Sequence, residues 1–153
     1  MERLVPLRDA RAMTITLLGA RICAGLLAGV YLAFAVGVMP ALRRLDDAAF
    51  TTIMNRVNVV IVNPVFLLVF LGAPALAVAV GGWFRTPTAI VAGALGLVTL
   101  LVTVVANVPL NDRLAAGGAR VDFETPWVVW NVVRTATGIG SFVCLLLVRA
   151  PAA

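Results

Sequence analysis

Trp127, Trp130, Asn131 and Arg134 stand at i, i+3, i+4 and i+7, one stripe of a helix that Gly138 and Ser141 continue. Upstream, Asn107 and Asn111 are four apart around Pro109, and Asn63 precedes Pro64, whose missing N–H and ring clash free a carbonyl about one turn earlier. Each lies in or beside an apolar run, where amide and ionisable side chains are expensive and usually face a bundle interior or a cavity. Arg134 is the most demanding, because a guanidinium two turns deep brings five donors that need acceptors. Asp112 and Glu124, in the loop before it, are the acceptors within reach.

Much other chemistry is absent. The chain has 153 residues with no histidine and no lysine, and its two cysteines, Cys23 and Cys144, are far apart in sequence. There is thus no His ligand, no Ser-His-Asp triad and no thiolate cluster for zinc or iron–sulfur. Both cysteines read as small hydrophobes rather than a disulfide or a nucleophile. Any activity must run on amides, indoles, one buried arginine and a loop carboxylate.

The elements that must position these residues are set by hydropathy. Hydrophobic residues make up 62% and charged residues 12%, and mean hydropathy is +1.06, against roughly 45–50% and about 25% in an average soluble domain. The charge of +5 comes from 12 arginines against 7 acids, with a pI near 11.0. The arginines stand singly at the ends of apolar runs, the pattern of a membrane protein, and form no basic face for nucleic acid. The runs are each long enough for the roughly 20 residues of helix that cross a bilayer. They predict four transmembrane helices near 15–38, 58–81, 88–108 and 127–148 in one domain over 1–153. An up-down-up-down four-helix bundle is the simplest closure, and the lack of strand-like alternation excludes a barrel. The first apolar stretch exceeds the 7–15 residues of a signal-peptide core, so it reads as a retained helix.

The connections are unequal: 39–57 and 109–126 are long, while 82–87 is tight. In the first long loop, Phe50, Ile53, Met54 and Val57 have helical spacing and predict a short amphipathic helix over 45–57, on the membrane surface or over the bundle mouth. Pro-x-x-x-Arg-Leu recurs at Pro40–Leu45, as Pro-x-x-x-x-Leu with Arg44 before the Leu, and at Pro109–Leu114 with Arg113, and Asn-Val-Val recurs at Asn58 and Asn131. Two related hairpins in parallel orientation would produce this. Arg3, Arg8 and Arg11 ahead of the first helix put both termini on the cytoplasmic side of the cell membrane, with Arg21 snorkelling to the same face. Gly25-x-x-x-Gly29, Gly93 and Gly96 predict close helix approach, within the bundle or between protomers of a homo-oligomer.

With that connectivity Asn58, Asn63, Asn107, Asn111, Asn131 and Arg134 collect at the membrane face that bears the long loops. Amides in spans also serve as interhelical glue, and tryptophans as an interfacial belt, so the bland reading is a non-catalytic membrane protein that binds a lipid, a quinone or a partner span. A transporter fits less well, since one polar layer provides no charged path across the membrane.

Asn107-Val108-Pro109-Leu110-Asn111 closing one helix, then Trp127-x-x-Trp130-Asn131-x-x-Arg134-Thr135 opening the next, resembles the anthrone oxygenase-like family of small four-span membrane proteins over about 15–148. The resemblance implies oxidation of a hydrophobic anthrone-like aromatic to a quinone by dioxygen, with no bound cofactor and no metal. It implies that Arg134 binds the enolate oxygen and that Asn63, Asn107, Asn111 and Asn131 donate hydrogen bonds. Trp127 and Trp130 would stack on the substrate, and Asp112 or Glu124, directly or through water, would be the general base.

Overall fold

The computed structural model describes residues 7–150; Arg3, one of the arginines used to orient the chain, lies outside them. Among the described residues there are five helices and no strand: α1 Arg8–Leu42, α2 Asp47–Ile61, α3 Pro64–Phe84, α4 Pro87–Ala115 and α5 Arg120–Leu147. All except α2 are long and apolar enough to cross a membrane. α1 packs on α3, α3 on α4, α4 on α5, and α5 returns to α1, closing an up-down-up-down ring. Large apolar side chains such as Ile15, Leu68, Val105 and Leu147 cover the outside, where lipid rather than water is their solvent. The chain is a multi-pass membrane protein.

Hydropathy starts the second span near residue 58, but the chain breaks at Val62-Asn63 and α3 begins at Pro64. Proline disfavours the helical region for the residue before it, and Asn63 is extended at φ −120°, ψ 164°. Its Oδ1 accepts from the N–H groups of Val65 and Phe66, both at 3.1 Å, so Asn63 caps the helix. Asn58 therefore belongs to the amphipathic helix, which runs to Ile61.

The first and third spans run past the ends near 38 and 108 that hydropathy predicts, to Leu42 and Ala115, for a shared reason. Both pass through a proline, Pro40 and Pro109, and in each a π turn comes just before it, at Phe34–Val38 and Thr103–Asn107. The next N–H reaches back five residues, from Met39 to Phe34 O and from Val108 to Thr103 O. A proline ring collides with the carbonyl four residues back, here Val36 and Val105, and the widened turn absorbs that collision while the helix continues. The loop over 109–126 shrinks accordingly. Gly117 takes φ 92°, a left-handed conformation suited to glycine, and Gly118 N–H bonds Arg113 O at 2.9 Å, so α5 starts at Arg120 instead of near Trp127.

The two ends of the bundle pack differently. Near the termini the core is built of small residues, Ala20, Ala24, Ala77, Ala89 and Ala92 with Leu17, Val80 and Leu145. A Cβ on Gly81 would meet Ala89 O at 3.1 Å, and one on Gly93 would meet Ala77 O at 3.2 Å, so the close seam lies between α3 and α4. Gly25 instead faces the Phe142 ring and Gly29 faces open space, so Gly-x-x-x-Gly makes no backbone seam here. Arg21 does not simply snorkel: it donates to the last-turn carbonyls of α5, Leu145 O at 3.0 Å and Val148 O at 2.6 Å, groups left without helical partners.

At the other end α2 lies over the bundle. Phe50 and Met54 are 0% exposed and pack with Met39, Leu42, Leu114 and Phe123, whereas Ile53 is 41% exposed. Asp46 caps this helix by accepting from Ala49 N–H at 2.8 Å.

The seam generates a stability test. Gly93→Leu is expected to lower the thermal midpoint of the detergent-solubilised protein, an overpacking cost of about 1–3 kcal/mol. Gly29→Leu should leave it unchanged; equal midpoints for the two variants in a circular-dichroism melt would contradict the seam.

Candidate functional site

Beneath α2, at the loop-bearing end, a partly open cavity of about 210 Å³ is lined by side chains from all five helices. α1 contributes Tyr31 and Phe34, α2 contributes Asn58 and Ile61, α3 contributes Phe66 and Phe70, α4 contributes Thr103 and Asn111, and α5 contributes Trp127 and Arg134. The walls are predominantly apolar, with Tyr31, Phe34, Phe66, Phe70 and Trp127 among aliphatic side chains and few polar groups, the usual make-up of a small-molecule site, though the volume is below the roughly 300–1,000 Å³ of drug-sized pockets. The space suits a compact fused-ring molecule.

Arg134 organises the polar side. It is 7% exposed, and its guanidinium lies 4.4 Å from the Tyr31 ring centroid and 4.9 Å from that of Trp127, held between two π faces. Nε donates to Asn131 Oδ1 at 3.0 Å. Among the described residues no carboxylate pairs with Arg134 and no protein acceptor takes its remaining N–H groups, and the side chain lines the cavity. A charge in the bundle therefore presents unused donors to a largely apolar cavity.

The neighbours are held by hydrogen bonds. Asn131, 1% exposed, donates to Tyr31 O at 3.3 Å while accepting from Arg134, tying α5 to α1. Trp127, 2% exposed, donates from Nε1 to Asn111 Oδ1 at 2.8 Å, and its ring lies 5.7 Å from Phe34. Asn107, 0% exposed, donates to Trp127 O at 3.2 Å and does not line the cavity, so it braces the wall from behind. Thr103 Oγ1 donates to Thr99 O at 3.0 Å, which leaves Tyr31 Oη to donate to Thr103 Oγ1 at 3.3 Å. The first residue of each π turn, Phe34 and Thr103, thus faces the same space.

Of the residues singled out by spacing, Arg134, Asn131, Trp127, Asn107 and Asn111 form one connected group. Four others lie elsewhere. Asn63 is exposed, its side chain spent on capping α3. Trp130 is 41% exposed and lines a separate surface groove between α4 and α5 with Pro109 and Arg113, because an α-helix turns a residue at i+3 partly away from its i neighbour. Asp112 is exposed and outside the cavity. Glu124 is held by two arginines, Arg43 Nε at 2.8 Å and Arg120 Nε at 2.7 Å. Arg120 also donates to Leu45 O at 2.7 Å and stacks on the Phe50 ring at 4.2 Å, so Glu124 serves to fasten the start of α2 to the start of α5. Neither carboxylate reaches Arg134.

Tyr31 and Phe34 escape a search for polar spacing. A single tyrosine and a phenylalanine in an apolar helix look like core, whereas Thr103, with Thr99 before it, extends the four-residue spacing of Asn107 and Asn111. A further signal is shared context: each π-turn residue lies six positions before a proline that itself precedes an Arg-Leu pair.

Fold and cavity together define a small multi-pass membrane protein with a buried cation lining a mostly apolar cavity. The chain belongs to the anthrone oxygenase family, whose sequence pattern matches residues 50–144, from α2 through most of α5. Comparisons with curated proteins and with solved structures give no match.

The Asn131 junction can be tested by stability. Asn131→Leu removes the acceptor of Arg134 and a donor to Tyr31 O, and should destabilise the protein by about 1–3 kcal/mol in denaturant or thermal unfolding. A variant as stable as wild type would show that the bonds contribute nothing.

Proposed function

We propose that the protein oxidises a flat, hydrophobic anthrone-like aromatic to the corresponding quinone with dioxygen and no bound cofactor. The observation that carries the reading is the Arg134 guanidinium with unused N–H donors, clamped between Tyr31 and Trp127 over an aromatic cavity of fused-ring size. The family membership supports the reaction class.

The chemistry asks little of the protein. The ring methylene of an anthrone loses a proton to give an anion in which the negative charge rests mainly on oxygen. The phenolic tautomer gives the same anion by losing an O–H proton. Arg134 would hold that oxygen, favouring the anion in a mostly apolar site where a fixed charge acts strongly. Water can then take the proton, consistent with the positions of Asp112 and Glu124 outside the cavity. The electron-rich carbon passes electrons to dioxygen and forms a hydroperoxide; loss of water leaves the carbonyl. In sum, a methylene and dioxygen become a ketone and water, the substrate supplying all four electrons. Tyr31, Phe34 and Trp127 position the rings, and Asn131 and Asn111 hold Arg134 and Trp127 in place.

A second reading, binding of a quinone or similar aromatic without turnover, draws on the lack of a carboxylate or histidine among the cavity-lining residues. We place the protein in the cell membrane with both termini cytoplasmic, on the strength of Arg3, Arg8 and Arg11 at the N-terminal end of the chain.

The test is dioxygen uptake with a hydroxylated anthrone in membranes carrying the protein, measured against membranes without it. Uptake should exceed autoxidation and match quinone formation one to one. Arg134→Gln is expected to lower the rate by about 10²–10³, the effect of removing an oxyanion donor, while Asp112→Asn stays within a few-fold. Uptake at the autoxidation rate in the wild type would overturn the oxygenase reading and leave binding.

A further inference from the structure

A second polar group faces the cavity from another element. Asn58, on the surface helix α2, lines it, and the Nδ2 of Asn58 is buried with no hydrogen-bond partner among the described residues. A sealed amide donor without an acceptor is costly, about 1–3 kcal/mol, and few native structures retain one without reason. Nothing in the local fold requires an amide here. Phe50 and Met54 already anchor α2 through apolar packing, and Asp46 caps its start. Unlike Asn63, which spends both ends of its amide on backbone groups of its own turn, Asn58 makes no hydrogen bond to the described residues. Its residue is half-buried, so the amide can turn about its last bond toward an arriving oxygen.

We infer that Asn58 is a specificity-determining contact: it donates to a second oxygen on the ligand, distinct from the oxygen held by Arg134. The inference rests on reading the cavity as an aromatic ligand site and deepens it. The ligand class becomes a fused-ring ketone or phenol carrying at least two oxygen acceptors, one for the cation on α5 and one for the amide on α2. A ligand with a single oxygen would satisfy Arg134 and leave Asn58 Nδ2 without an acceptor. The preference arises because a site built to bond an oxygen discriminates strongly against an analogue lacking it. The arrangement also gives α2 a reason to be a separate helix: the break at Asn63-Pro64 lets it lie across the mouth and deliver Asn58 from above the bundle.

The experiment measures binding to the purified full chain in detergent, followed by quenching of tryptophan fluorescence, with two stable probes. One is a series of hydroxylated anthraquinones and the other is fluorenone, which has one oxygen. Wild type should bind the best anthraquinone at least tenfold more tightly than fluorenone. Asn58→Leu should lose about tenfold or more for that anthraquinone, keep its fluorenone affinity, and have a ligand-free thermal midpoint equal to or above that of wild type, since a buried unpaired donor is gone. Asn58→Gln should recover part of the lost affinity. Arg134→Gln should weaken both probes. Equal weakening of both probes by Asn58→Leu, or unchanged affinity for both, or a fallen ligand-free midpoint, would overturn the role of Asn58 while leaving the aromatic site intact. Failure of wild type to bind any of the probes would overturn the aromatic site and this inference together.

Discussion

Placing an arginine in a membrane-spanning bundle without a carboxylate partner constrains everything around it. In hydrocarbon a bare guanidinium is prohibitive, and a buried ion pair would cancel the charge it was placed there to supply. The chain takes a third course. The faces of Tyr31 and Trp127 sandwich the cation, and a single neutral amide, Asn131, takes one N–H. Cation–π contact lowers the cost of burial without consuming the outward donors. Because the rings come from α1 and α5 and the amide in turn bonds the α1 backbone, the charge can be held only when these helices are correctly registered.

Register at this end depends on the two π turns. A proline near a helix end ordinarily terminates or kinks it. Here Pro40 and Pro109 are each preceded by a widened turn, so α1 and α4 continue through them and form walls around the cavity. Phe34 and Thr103, opening those turns, are turned toward the same space, and Thr103 holds the Tyr31 hydroxyl. The corresponding features in α1 and α4 fit a chain built from two related hairpins, each bringing its proline-associated turn to one shared site. At the opposite end small residues bring α3 and α4 together through Gly81 and Gly93, a contact that needs no polar group. One end of the bundle is thus sealed by shape and the other is left open enough to hold a ligand.

The open end is closed by α2 and an ionic fastening. Glu124 between Arg43 and Arg120, with Arg120 over Phe50, joins the end of α1, the start of α2 and the start of α5. These groups are at the membrane surface, where such pairs act mainly by fixing geometry. This gives two of the acidic residues, Asp46 and Glu124, clear structural duties, the first as a cap. It also separates the charges that hold the lid from the charge that faces the cavity.

Helix content, the four spans, the amphipathic segment and the stripe through Trp127, Asn131 and Arg134 were all legible in the residues. Hydropathy and helical spacing are local properties, and a bilayer enforces both by forbidding unpaired backbone. The family pattern was legible for the same reason: Asn107–Asn111 and Trp127–Arg134 are contiguous stretches. Tertiary structure alone decided the partners. Spacing placed Asp112 and Glu124 near Arg134 because they are near in sequence, but α5 begins earlier than its apolar run and carries Glu124 to the surface arginines instead. It assigned Asn63 to the cavity, whereas the constraint of Pro64 turned that amide into a cap. Tyr31, Phe34, Thr103 and Asn58 entered the site from helices distant in sequence; Tyr31 and Phe34 look ordinary within α1, and the polar spacing that marks Asn58 and Thr103 does not say which cavity they line. A side chain's partner depends on which helices meet and at what height, and that is settled only when the whole ring closes.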